Sequence, residues 1–344
     1  MFVAGTKKNL IKYLLLFALL LLIVNVVLDL LKPKITKPDA KELTRAQIEN
    51  TFWKVLDEYG IDAVWVKKKK YKQADEDSIN AQFFVTLPAD VPIPYIIRDI
   101  NNVIEKDITG FVSKEIQIFG TTEIRVYTNE LLKLKATLTP DSKLTRQKNE
   151  YSFVISDGFD LNDQQFSSFL NFNYPLATVV VPDPDAILKA DSLQHFSKEF
   201  ILLLNDDIDE SKMKLVQEYQ KELLRSSIRN ILASFGKAKF VAVEEKGVLF
   251  NSPIYNFVRD EFKKRKFTVF PLSEFIRLET DDEQELISKF KFYSEDTTAS
   301  RQKVFYLPFD SFGKILPYLA KYKKRGSKIV PVSKSYLSTK QKPN

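Results

Sequence analysis

The chain has 344 residues, 44% hydrophobic and 28% charged, a length that predicts about two domains and a composition usual for a globular body. It has no cysteine, which excludes disulfides, zinc–thiolate sites and cysteine nucleophiles and leaves the redox compartment open. Its nine glycines argue against a glycine-rich cofactor loop, while 27 Phe and 14 Tyr supply a core.

The net charge of +7 is unevenly spread. Residues 1–41 hold seven lysines (7, 8, 12, 32, 34, 37 and 41) and Asp29 and Asp39, leaving 45 basic against 43 acidic residues elsewhere. Lysines flanking an apolar run anchor a helix and meet anionic lipid. No nucleic-acid partner is expected, because such a binder concentrates positive charge on its folded domain. The runs Lys67–Lys70 and Lys263–Lys266 read as solvated faces.

Residues 1–12 form a short N-terminal segment, and 13–31 a transmembrane anchor. Tyr13–Leu28 carries no charge over 16 residues, and Leu30 and Leu31 extend it past Asp29; a spanning helix needs about 20 residues, with a lower limit near 17. Asn25 and Asp29 weaken it. No small-x-small site follows, so an uncleaved anchor is expected rather than a removed signal. Lysines on both sides nearly balance the positive-inside rule. The usual outcome for an N-terminal anchor puts the protein in the cell membrane, single-pass, with its body outside the cytoplasm.

Residues 32–41, with Pro33 and Pro38, form a linker. A small α+β domain is predicted over 42–140. Thr44 and Gln47 make a capping box and Leu43 and Ile48 a hydrophobic staple for a helix that ends at Gly60. Strand-like runs follow at 63–66 and 81–87, a helix at 94–106, and strands near 111–119, 122–127 and 131–138. Trp53 and Trp65 could stack on a sugar ring, but their spacing also suits a core.

Polar residues 139–150, with Pro140, mark a boundary. Beyond it strands and helices alternate: strands at 152–156, 177–181, 200–204, 240–243, 268–270, 304–306 and 327–330, and helices at 162–171, 184–196, 211–235, 252–264, 282–291 and 312–323. Continuous apolar strands such as FILLL predict burial on both faces, hence parallel strands with crossover helices. The predicted fold is α/β: an irregular (β/α) barrel over 150–338.

This half resembles the divergent polysaccharide deacetylase family, a branch of carbohydrate esterases with a NodB-type barrel. The resemblance is carried by Tyr151–Phe159 (YSFVISDGF), Pro175–Pro182, Glu199–Asp207 (EFILLLNDD), Arg259–Ser273, Lys303–Pro308 (KVFYLP) and above all Gly326–Lys334 (GSKIVPVSK). It implies paired Asp and His residues holding a divalent metal whose water attacks an acetamide carbonyl, with an Asp as base. The matching positions depart from that set. Ser156 stands for the first Asp and only Asp157 remains; Leu203 and Leu307 stand for the two histidines; EEKGV (Glu244–Val248) replaces the family's NHMGS. The one histidine, His195, lies outside every motif.

In (β/α) barrels the chemistry sits at the C-terminal strand ends. Those positions hold Asp157 and Asp160, Asp183 and Asp185, Asn205, Asp206 and Asp207, Glu244 and Glu245, and Asp310. Clustered carboxylates suit hard cations or glycan hydroxyls. The alternative is that they cap the helices that follow, as Asn162 with Gln165 does. Ser156 has no apparent base beside it. No cofactor is expected, with a divalent metal at Asp157 as the alternative. The leading expectation is a deacetylase-like envelope protein without catalysis, binding a glycan or protein partner. The others are an active metal-dependent deacetylase with an all-carboxylate site, and a membrane-tethered scaffold acting through 42–140.

Overall fold

The computed structural model describes residues 16–19, 21, 43–72, 75–104, 110–118, 120–128, 130–146, 149–296 and 302–335. Residues 16–19 and 21 are helical and exposed; the rest of the expected anchor, and the linker at 32–41, lie outside the described residues. Among the described residues no helix is long and apolar enough to cross a membrane.

Helix α1 (Arg45–Glu58) starts at the expected capping box: the Gln47 N–H donates to Thr44 Oγ1 and the Thr44 N–H to Gln47 Oε1. After it come β1 (Val66–Lys70), β2 (Ala81–Pro88), α2 (Ile93–Ile104), β3 (Gly110–Glu115), β4 (Thr122–Thr128) and β5 (Leu131–Asp141). The strand order is β1-β2-β5-β4-β3, with β2 and β5 parallel and the other pairs antiparallel. Period-two alternation sends Phe83, Ile124 and Leu134 to one face, where they meet Phe52 and Ile96 of the two helices. Trp53 and Trp65 are half-buried against this core, and the Lys68 ammonium lies 5.6 Å over the Trp53 ring.

The strand expected at 63–66 is displaced. Asp62 accepts the Val64 N–H and winds residues 63–65 into a turn, and the lysine run itself becomes the edge strand β1. An edge of lysines keeps its unpaired backbone from recruiting another chain.

The second unit comprises β6 (Glu150–Ile155), α3 (Asp163–Asn171), β7 (Ala177–Val180), α4 (Ala186–His195), β8 (Glu199–Leu204), α5 (Lys221–Phe235), β9 (Val241–Val243), α6 (Val248–Asn251), α7 (Tyr255–Lys264), β10 (Val269–Pro271), β11 (Ile276–Arg277), α8 (Glu283–Glu295), β12 (Gln302–Leu307), α9 (Phe309–Lys324) and β13 (Lys328–Ile329). Parallel strands run in the order β10-β9-β8-β7-β6-β12-β11. The two edge strands are consecutive in the chain, joined only through residues 272–275. Five peptide steps span at most about 17 Å, so the sheet must curl until its edges nearly meet. The result fits a (β/α) barrel whose last gap is closed by chain connection. Phe153, Leu202, Leu204, Val243 and Phe305 face the helices, while Val154, Val179, Ile201, Leu203, Phe270 and Tyr306 fill the interior.

Three sequence expectations are corrected. The strand at 327–330 is not a stave: β13 pairs with Glu150 and Tyr151, on the edge of β6 that β7 takes over at Val154 and Ile155. The missing stave is β11, whose two residues leave too short a pattern to read. The helix expected from Ser211 starts at Lys221, and the one expected over 252–264 starts at Tyr255, since Pro253 interrupts the α6–α7 path.

Arg146, in the connection between the units, fastens them together. Its guanidinium donates to the Tyr59 carbonyl at the end of α1 (2.9 Å), to the Lys324 carbonyl at the end of α9, and to Asp90 (2.8 Å). Gly326, at φ +100°, passes so close that a Cβ there would lie 3.0 Å from Arg146 Cζ. Arg325 pairs with Asp57 at 2.9 Å, and Lys324 with Asp99 at 2.9 Å. Removing the buried guanidinium leaves the Tyr59 and Lys324 carbonyls without their donor, a cost of about 1–3 kcal/mol for each buried group. Arg146→Ala is therefore expected to lower the unfolding free energy by about 3 kcal/mol, read from the denaturant midpoint. Lys237→Ala, which breaks an exposed pair with Asp191, is expected to change it by less than about 0.5 kcal/mol.

Candidate functional site at the barrel mouth

Strand β6 ends at Ile155, and the chain turns over the top of β7 through Ser156, Asp157 and Gly158. A Cβ on Gly158 would stand 2.2 Å from Thr178 Oγ1, so only glycine allows that crossing. The turn delivers Asp157 to the adjacent strand end, where its Oδ1 accepts the Phe309 N–H at 2.8 Å, the first residue of α9. Burial pushes the Asp157 carboxyl above its ordinary value; the Phe309 N–H opposes this, and Asp310 and Asp160 add repulsion. Asp160 and Asp310 are exposed. Asp310 occupies the first turn of α9, where a carboxylate favours the helix dipole.

The other carboxylates are largely committed to backbone. Both oxygens of Asp206 accept the Val248 N–H, at 2.9 and 3.0 Å, at the start of α6. Asp207 accepts from Asn205 Nδ2 at 2.6 Å. Asp183 accepts the Asp185 N–H at 2.7 Å and both are exposed. Glu245 accepts the Ser273 N–H at 2.7 Å; partial burial works against its charge, but the Ser273 bonds hold its carboxyl below the usual range. Glu244 is half-buried at the end of β9. The set is thus spread round the rim, and capping accounts for much of it.

Tyr306 and Phe275, which the sequence did not single out, stand inside the barrel, with Arg277 and Glu279 exposed beside them. Tyr306 points into the barrel, stacked on Phe275 at 6.4 Å and 16°, with Arg277 5.5 Å above its ring. Arg277 Nε donates to Glu279 at 3.0 Å. Burial pushes the Tyr306 hydroxyl up to about 12, and the negative charge of Glu279 adds to it. Strand alternation holds the signal that finds Tyr306. Leu307, the position matched to a metal histidine, faces the helices, so the side chain that β12 gives the interior is one residue earlier. Leu203 does lie inside, among Phe270, Leu272 and Phe275.

The remaining candidates are not brought to this site. His195 is the exposed last residue of α4, at the opposite end of the barrel. No histidine or lysine side chain bonds Ser156 among the described residues, whose N–H donates to the Leu307 carbonyl. Among the described residues, no three carboxylate or imidazole groups are placed to hold a metal ion. With leucine at two matched positions and serine at a third, the donor set does not fit the metal the resemblance implies.

The concave surfaces lie elsewhere. A pocket of about 280 Å³ opens beside Asp206, lined by Ile208, Lys214, Leu215 and Leu249. A larger groove, about 720 Å³, runs between α2 and β3–β4 of the small unit and is lined by Val91, Ile97, Arg98, Phe111 and Ser113.

No protein-family model and no curated protein matches the chain. Solved structures similar to the chain at 10% identity include the following three. An uncharacterized protein, ATU2773 from Agrobacterium tumefaciens, has a TM-score of 0.40 over 56% of this chain and 90% of its own. The Bc1960 peptidoglycan N-acetylglucosamine deacetylase has 0.38 over 56% and 89%. The polysaccharide deacetylase Bc1974 from Bacillus cereus has 0.34 over 54% and 92%.

A carboxyl whose folded value is raised binds its proton more tightly in the folded state, so it favours folding at low pH and costs stability once ionised. Asp157→Asn keeps an oxygen for the Phe309 N–H and removes that cost. The variant is expected to melt higher than the parent at pH 7, on the order of 2 °C, with the gain vanishing as the pH falls below the ordinary aspartate range. Thermal melts across that range check it.

Proposed function

We propose that the chain is a membrane-anchored, deacetylase-like envelope protein that binds a glycan or a protein partner and does not catalyse deacetylation. The observation that carries this reading is the barrel mouth. Where a hydrolytic site needs a metal and its ligands, Leu203, Phe275 and Tyr306 fill the interior, and Asp157 is engaged in capping α9.

The groove of the small unit favours a second reading, in which residues 42–140 hold the partner. Val64, Tyr71, Phe84, Tyr95, Val103, Val112, Ile116 and Ile118 are exposed on that unit, and apolar surface of this extent marks interaction sites.

Calorimetric titration of the full chain in detergent with Zn²⁺, Mn²⁺, Mg²⁺ and Ca²⁺ tests the non-catalytic reading. No binding tighter than about 1 mM is expected for any of them, since unpaired carboxylates hold metals weakly. Tight binding of Zn²⁺ or Mn²⁺ that disappears in Asp157→Ala, with release of acetate from acetylated glycan, would establish the active deacetylase instead.

A further inference from the structure

The exposed edge of the small unit carries a feature that the barrel does not explain. Lys67, Lys68, Lys69 and Lys70 form most of β1, and all four are exposed. Lys68 folds back over Trp53 and Phe83. Lys67 and Lys69 register against Phe84 and Gln82 on the sheet face the helices leave open, and Lys72 follows just beyond the strand. Among the described residues none of Lys67, Lys69, Lys70 and Lys72 has an ion pair, whereas Lys135, Lys237, Lys264, Lys289 and Lys324 do.

Three acids near the strip bond groups other than these lysines. Asp62 caps the Val64 turn, Asp75 accepts the Asp77 N–H, and Asp77 takes Lys133 and the Arg45 N–H. A strip of like charge left without counter-ions repels itself. Shielding an edge from other strands needs only a charge or two. The strip is flanked by Val64, 76% exposed, and Tyr71, 40% exposed, the mixture of cation and apolar side chain that suits a lipid headgroup layer.

Its position identifies the surface. The chain enters the small unit at Arg45, whose N–H and guanidinium bond Asp77 and the Ser78 carbonyl, 3.0 Å each, in the connection between β1 and β2. The tether therefore arrives at the end of the lysine strand. Residues 32–42 reach at most about 40 Å, which keeps that end close to the membrane the tether leaves.

We propose that β1 with Lys72 is a docking edge for anionic lipid headgroups of the membrane that holds the N-terminal segment, laying the small unit against the bilayer; this rests on the anchored reading. Each lysine near an acidic surface is worth roughly a fivefold gain in local occupancy, and the attraction fades beyond about 10 Å at 0.1 M salt.

The test is amine acetylation, read residue by residue by mass spectrometry, on the full chain in nanodiscs. One set is phosphatidylcholine alone and the other has about a quarter phosphatidylglycerol. Lys67, Lys69 and Lys70 are expected to react at least about fivefold more slowly on the acidic discs, with high salt restoring the rate and Lys237 and Lys289 unchanged. Equal rates on the two discs, with the chain retained in both, overturn the docking edge alone. Loss of the chain from phosphatidylcholine discs at high salt overturns the anchored reading and this proposal with it. Protection of the same lysines by a soluble polyanionic glycan, but not by acidic discs, assigns the edge to a glycan and also overturns it.

Discussion

The guanidinium of Arg146 is the contact on which the arrangement of the two units depends. It is buried, and it answers the ends of two helices from different units together with one carboxylate. A helix end leaves carbonyls without partners, and here one cation meets such a carbonyl from α1 and another from α9. Lys324 and Arg325 of α9 reach back to Asp99 and Asp57 at the base of the small unit, so the basic C-terminus of one element lies on the acidic rim of another. The orientation of the barrel is thereby fixed relative to the strand that carries the lysines.

Several carboxylates at the strand ends of the barrel bond backbone groups. Asp157 closes a helix N-terminus, Asp206 closes another, Glu245 holds the β10–β11 connection, and Phe275 and Tyr306 stack inside the barrel. The small unit, by contrast, exposes the larger groove and the uncompensated charge.

The candidate site was legible only in part. The carboxylates at 157, 206 and 245 were found because strand ends follow from pattern, and the alternative that they cap helices was legible for the same reason. What the pattern concealed was direction. Leu307 was matched by its place in a motif, yet alternation turns it toward the helices and brings Tyr306 inside. Arg277 belongs to a stave of two residues, below the length at which periodicity speaks, and Glu279 lies just past it.

By itself the sequence determined the alternation of strands and helices from residue 150, the capping boxes at Thr44 and Asn162 and the absence of thiol chemistry. Each of these is local, set by side-chain period, by hydrogen bonds within one turn, or by composition. Only the tertiary structure decided that β11 rather than the final strand completes the barrel, that Arg146 locks the units, and that the lysine run is an edge strand whose far end lies near Arg45 at the start of α1. Those facts rest on contacts between residues far apart in the chain, which no local pattern encodes.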